Sequence, residues 1–385
     1  HAAAAAGPLM RRALPWIGLG LLTVAAFVWR AHAAAAIEYP SVDGANYMTV
    51  ARALVRDGTL QFSTFPPGWS LCIALALLGA GSTDAAQVLT AAQSANVVFG
   101  TLAAPLVFLL LRHGFGPWIA LGGAAVIALL PDNVILSSVD LSEMSYLCAF
   151  VAAWIAWHRR WWWACGALFG FAYLIRPEAL IVLGAAVLVR SIADRRIAWR
   201  PVVGAAPFVI AYVLFVHDAT GQWTLSGKTV FLDHAAASGG HPVTRWFSNA
   251  GALLEGLAVL LGLPFVLAAA WGTVQRRGIE LVAFVPMLLL PVFSFAMDPR
   301  YWIPLVPFVI WYAAAGVLDL TGRLGSVTAR RAVTVGALVL LAGGAALAGR
   351  ADLREIGRNH EAFSGLRAAG RWIAENSEPD DVVVG

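Results

Sequence analysis

Long apolar runs, each closed by arginines, prolines or glycines, repeat along this chain from residue 13 to residue 349. They fall at about 13–31, 86–111, 117–131, 141–158, 161–175, 178–191, 201–217, 250–273, 280–297, 302–320 and 331–349. Roughly 20 helical residues cross the hydrocarbon core of a bilayer, so runs of this length predict membrane spans. Strict period-2 alternation is missing, and backbone groups in lipid must be satisfied internally, which favours helices over a β-barrel. The pattern predicts an all-α polytopic membrane protein with about eleven transmembrane helices. The fifth and sixth runs meet at "RPE", residues 176–178, and read either as two spans or as one broken or re-entrant pair.

Composition agrees: 60% of the 385 residues are hydrophobic and 12% are charged, about half the charged share of a soluble domain. The distribution of charge then orients the chain. With a cytoplasmic N-terminus, one face carries Arg11, Arg12, Arg112, Arg159, Arg160, Arg190, Arg195, Arg196, Arg200, Arg276, Arg277, Arg323, Arg330 and Arg331. It carries only three acids, Asp194, Glu280 and Asp319, while the other face holds twelve basic residues and nineteen acids. Basic residues stay on the cytoplasmic side, so the expectation is N-terminus in, C-terminus out. Cys72, Cys148 and Cys165 all lie in apolar runs without metal-ligand spacing and read as small core residues. The opening "HAAAAAG" is set aside as a tag remnant or an ill-defined terminus.

The first outer loop, about 32–85, is too apolar to be a simple linker. Residues 43–58 place Tyr47, Val50, Ala51, Leu54 and Val55 on one helical stripe. After the Pro66-Pro67 break, 69–80 is apolar but short for a span, and predicts a second helix lying at the outer interface. At the other end, residues 350–385 read as an amphipathic helix followed by "PDDVVVG", a turn entering a strand. That tail is expected to begin an extracytoplasmic domain of a longer protein, after a membrane domain of 1–349. Beyond alanine richness no repeat is evident.

Ionisable groups at membrane depth are costly and usually face a cavity or a partner. On the outer face these are Glu38, Asp43, Asp140, Glu143, Arg176, Glu178, Asp218, Lys228, Asp233, His234, Asp298 and Arg300, with Tyr301 beside them. Five segments contribute, which predicts a shared polar cavity. Plainer readings stand beside each. Asp43 also suits a helix cap, and Glu143 suits a helix N-terminus. Arg176 with Glu178 forms a plausible structural ion pair. Arg300 in "DPRYWIP" suits an interfacial, snorkelling arginine, and Lys228 an ordinary loop lysine. His234 and His241 lie in a glycine-rich loop without a convincing metal signature. The tryptophans, Trp161–Trp163 among them, read as interfacial anchors, and "GALFG" at 166–170 as a helix-packing signal.

Several motifs, in order, resemble a known family. They are an outer-loop acid four residues before Tyr47, then Ala51, Leu54 and Gly58 in A-x-x-L-x-x-x-G, and Pro66-Pro67. After them come "SVDLSEMSY" behind "LLPDN", "LIRPEAL", "DPRYWIPLVPFV" and the tail "LRAAGRWIAENSEPDDVVV". This set resembles the GT-C superfamily of integral-membrane glycosyltransferases, and within it the protein O-mannosyltransferase and lipid A aminoarabinose transferase type. The resemblance covers nearly the whole chain. Gly44 departs from it, since many members carry a second acid there.

The resemblance implies a sugar donor carried on polyprenyl phosphate, with Asp43 as catalytic base and Glu143 as a second cavity acid. It places Arg300 near the donor phosphate. Charge and sidedness add Arg176 and Lys228, and position adds Tyr47, Glu178 and Tyr301, as substrate-binding candidates. The expected reaction is inverting transfer to a hydroxyl on a lipid, glycan or protein, at the periplasmic face of a bacterial inner membrane. Neither a nucleotide-binding domain nor a metal site is evident, and no cofactor or nucleic acid is expected. Two other readings remain: a transporter or lipid flippase, and a catalytically inactive assembly subunit of the same fold. A transporter would place polar groups near the midplane with repeat symmetry, whereas here the charges sit at one face.

Overall fold

The computed structural model describes residues 8–227, 242–286, 299–323 and 326–344. Every regular element among them is helical. In chain order these are α1 (Pro8–Ala35), α2 (Val42–Asp57), α3 (Gly68–Ala80), α4 (Ala85–Leu111), α5 (Pro117–Leu129) and α6 (Pro131–Leu136). Then come α7 (Glu143–His158), α8 (Trp162–Ile175), α9 (Glu178–Asp194), α10 (Trp199–Thr220), α11 (Pro242–Leu261) and α12 (Leu263–Gln275). Two 3₁₀ turns, Ile279–Phe284 and Pro299–Leu305, precede α13 (Val306–Leu320), and α14 is Val327–Gly344.

A helix apolar on every side belongs in the interior of a membrane bundle, and α7 and α13 are such helices. Met144, Trp154, Phe308 and Tyr312 are fully enclosed, and Phe308 meets Phe150 and Trp154 edge-on at 5.7 and 5.6 Å. Around this pair, α1, α10 and α14 bury little of their length and turn apolar side chains such as Leu21, Ile210 and Leu340 outward. Small residues set the close helix contacts. Gly166 rests on the Pro201 carbonyl, and Gly170 faces the Phe208 ring, where a Cβ would come within 2.7 Å. The packing role read from "GALFG" is therefore met by α8 against α10. Gly272 and Gly316 similarly bring α12 onto α13.

The predicted loop helices exist as α2 and α3. The expected stripe of α2 faces inward, with Tyr47, Val50 and Ala51 buried. On α3, Trp69, Ile73 and Leu77 are buried while Leu75 and Leu78 are exposed.

Three expectations change. The run 250–273 is not one helix: α11 and α12 meet at Gly262 with a bend of 112°. Gly262 takes φ 82°, which L side chains rarely adopt, and Pro264 in the first turn of α12 cannot continue the preceding ladder. The run 302–320 opens as a 3₁₀ turn and becomes α-helical only from Val306. Among the described residues, length and apolarity support five membrane-crossing helices, or six with the bent pair counted once, and α3, α5 and α8 are apolar but shorter. The count of eleven therefore rests on the sequence pattern. Of 280–297, residues beyond 286 lie outside the described residues, as does the tail 350–385.

Candidate active site

α2 begins with its N-terminus clamped. Ser41 is the cap: its hydroxyl accepts the Gly44 amide at 2.9 Å. Capping therefore does not occupy Asp43. The Ser41 amide in turn donates to both carboxylate oxygens of Asp140, each at 3.1 Å. Asp140 is 1% exposed, and burial pushes its carboxyl above the usual range, against the hydrogen bonds from Ser41. Its carboxylate occupies the space that a side chain at residue 44 would need. Gly44, the position that departs from the resemblance, is thus covered by an acid from the loop before α7.

That loop is fixed by groups the sequence reading missed. Asn96, on α4 and fully buried, donates from Nδ2 to the carbonyls of Leu136, Val139 and Leu141 at 2.7, 2.6 and 2.9 Å. Trp69, the tryptophan of "FPPGWS", donates to the Asp140 carbonyl at 2.8 Å. Arg30, fully buried on α1, donates to Ser137 Oγ and to the carbonyls of Ala128 and Ile127. Unpaired polar groups in an apolar interior are costly, so these donors hold the loop in one conformation. The signal available in the sequence was polar residues inside apolar runs, Arg30 in 13–31 and Asn96 in 86–111.

Four charges then form a chain. Arg300 Nη2 lies 3.3 Å from Asp43 Oδ2, and its Nε lies 3.8 Å from Glu143 Oε1. Arg176 Nη2 lies 2.5 Å from the same Glu143 oxygen. Asp43 and Arg300 are about one third exposed, Glu143 is 1% exposed and Arg176 11%. The chain therefore runs from an accessible end to an enclosed one. Arg300 is thus an ion-pair partner at the site. Arg176 pairs with Glu143, and no ion pair to Glu178 is formed among the described residues. Glu143 is the first residue of α7, so the helix-end reading holds alongside the pairing.

Aromatic side chains wall this chain. The Arg176 guanidinium sits over Tyr301 at 5.7 Å and over Tyr146 at 5.9 Å. Tyr47 donates to Ser142 Oγ at 3.4 Å, and burial raises its hydroxyl to about 12. Glu178 starts α9 and borders a narrow cavity shared with Arg176, Tyr146 and Tyr301. Glu143 Oε2 and Glu178 Oε2 are both buried without a hydrogen-bond partner among the described residues. Lys228, Asp233, His234, His241 and Asp298 lie outside the described residues. Among the described residues no three His, Cys, Asp or Glu side chains group so as to hold a metal ion.

Comparison with protein-family models and with curated protein sequences finds no match. Solved structures do match. ArnT from Cupriavidus metallidurans bound to undecaprenyl phosphate superposes with a TM-score of 0.69 at 14% identity, over 96% of this chain and 82% of that one. The oligosaccharyltransferase AglB from Archaeoglobus fulgidus, in complex with an inhibitory peptide and a dolichol-phosphate, gives 0.54 at 13% identity. There the match covers 96% of this chain and 59% of that one. Both are GT-C superfamily membrane glycosyltransferases, and with the helical bundle and its loop helices described above, this chain has the GT-C fold.

Proposed function

We propose that this protein transfers a sugar from a polyprenyl-phosphate donor to a hydroxyl acceptor, with inversion at the anomeric carbon. The observation that carries this reading is the charge chain Asp43–Arg300–Glu143–Arg176, which starts at an accessible carboxylate and its part-exposed arginine and leads to the enclosed Glu143 and Arg176. Asp43 takes the proton of the acceptor hydroxyl as that oxygen attacks the anomeric carbon. The bond from that carbon to the phosphate oxygen breaks, and its electrons leave with the polyprenyl phosphate. Arg300 is shared between Asp43 and Glu143, so an arriving phosphate competes for its guanidinium and frees the Asp43 carboxylate. Arg300 stabilises the charge that develops on the leaving phosphate. Glu143 holds Arg176 and Arg300 in register. The Oε2 atoms of Glu143 and Glu178, which have no hydrogen-bond partner among the described residues, are acceptors suited to sugar hydroxyls. Lys228 and Tyr301 remain substrate-binding candidates, and Tyr47 a positioning one.

ArnT bound to undecaprenyl phosphate and AglB with dolichol-phosphate support a lipid phosphate as the leaving group here. The arginine bias supports a bacterial inner-membrane protein with its N-terminus in the cytoplasm and Asp43 on the far face. A C-terminal extracytoplasmic domain beginning near residue 350 belongs to the same proposal.

The test is release of polyprenyl phosphate. Purified protein is incubated with a panel of polyprenyl-phosphate sugars and membrane extract, beside folded Asp43→Asn protein. Release by the wild type that drops at least about 100-fold in the variant is expected, at the low end of what a general base contributes. Equal release by both removes Asp43 from the chemistry.

A further inference from the structure

The end of the bundle opposite Asp43 holds a second concentration of charge, and it is of one sign. A cavity of about 420 Å³ opens between the start of α8, the end of α9 and the start of α10. Arg160, Arg190, Arg196 and Arg200 line it, with Asp194 as the one lining acid among the described residues. That acid is already engaged, since Arg190 Nε lies 2.6 Å from its carboxylate. Four arginines less one aspartate leave three positive charges around the space. Arg160, Arg196 and Arg200 form no ion pair among the described residues.

The backbone adds to this field. Gly166 packs on Pro201 and Gly170 on Phe208, so α8 and α10 run parallel and both begin here. Neither N-terminus is capped by a side chain, and free N–H groups at helix starts favour anions. Arg160 and Arg195 adopt φ of 59° and 50°, the two positive-φ residues other than glycine among those described. Such conformations are costly and cluster at binding sites. Arg160 lines the cavity, and Arg195 turns the chain so that Arg196 does.

Retention of arginines on one face of a membrane protein would place them in separate loops. It does not require two loops to converge on one cavity. Nor does it call for indole walls, yet Trp162 carries the Arg190 guanidinium at 5.9 Å and Trp199 that of Arg200 at 5.8 Å. The cavity is also remote from the charge chain. α8 separates Trp162 from Arg176 by 14 residues, about 21 Å of helix.

We propose that this cavity binds the phosphate head group of an anionic membrane lipid. The surroundings favour a lipid over a free anion: Trp163, Ile192 and Ile197 are 51%, 69% and 79% exposed beside it, an apolar rim for acyl chains. Basic pockets between helices at this kind of boundary recognise lipid phosphates. The inference stands apart from the transferase reading and does not need it.

The full chain, stripped of lipid in detergent, is titrated with phosphatidylglycerol or phosphatidylcholine and bound lipid is counted by native mass spectrometry. Inorganic phosphate is added as competitor. The test variant is Arg160→Gln with Arg196→Gln, both exposed; the control is Arg112→Gln with Arg331→Gln, near a different basic surface. Phosphatidylglycerol is expected to bind in preference to phosphatidylcholine. The test pair should weaken it about 25-fold, at roughly fivefold per arginine, and the control should not. If the test pair lowers the lipid-free melting temperature, Arg196→Gln alone, expected about fivefold weaker, decides. Equal binding of the two lipids, an unchanged affinity in the test variant, or displacement by inorganic phosphate at the concentration of lipid phosphate overturns the proposal.

Discussion

Gly44→Ala is the sharpest test of how the acidic site is held. In a helix, alanine is ordinarily better than glycine by about 0.5–1 kcal/mol. Gly44 is the third residue of α2, so propensity alone predicts stabilisation. The tertiary structure reverses the sign, because the Asp140 carboxylate fills the position of the new Cβ. Asp140 has little room to yield, being 1% exposed and bound twice by the Ser41 amide. Overpacking of this kind costs about 1–3 kcal/mol. Asp140→Ala alone loses the charge-assisted bonds to Ser41, about 2 kcal/mol. With the carboxylate gone, alanine at 44 fits, and in that background the same substitution is neutral or slightly stabilising. The cycle should therefore show about 2 kcal/mol of coupling between residues 44 and 140. Thermal unfolding of detergent-solubilised protein, followed by tryptophan fluorescence, reads all four variants, and release of polyprenyl phosphate reports on the site. Displacement of the α2 start by about 1 Å would cost Gly44→Ala about 100-fold in activity. Equal destabilisation by Gly44→Ala in both backgrounds would refute the lock.

Two further outcomes follow from the same geometry. Arg176→Gln leaves the Glu143 carboxylate, 1% exposed, without its closest cation and should cost about 3–5 kcal/mol, whereas adding Glu143→Gln recovers part of that loss; melting of the single and double variants checks it, and an additive double variant contradicts it. Asn96→Asp keeps the size but faces three carbonyl oxygens with a group that cannot donate; it should cost at least about 2 kcal/mol and lower polyprenyl phosphate release, while unchanged melting would remove Asn96 as the loop's anchor.

How legible each part was depends on the range of the interaction behind it. The helical character of α1, α4 and α10, and the two helices of the first loop, follow from apolar runs and a Pro-Pro break, which act over a few neighbouring residues. Asp43, Glu143, Arg176 and Arg300 stood out because charge is rare in such a chain. Their partners did not. Arg176 sits two residues from Glu178 yet binds Glu143, 33 residues away, because α8 packs back along α7 and brings its end to the start of that helix. Arg30 and Asn96 escaped notice since a polar residue inside a span does not announce which carbonyls it will meet.

The amino-acid pattern by itself determined a helical membrane chain, its asymmetric arginines and the residues able to do chemistry. Hydropathy and charge are properties of each residue, and the bilayer reads them segment by segment. Only the tertiary structure decided that Asp43 meets Arg300 across 257 positions, that Asp140 fills the space over Gly44, and that α11 and α12 bend apart at Gly262. These depend on which helices pack together, and packing is settled by the fit of whole surfaces. No local period along the chain carries that information.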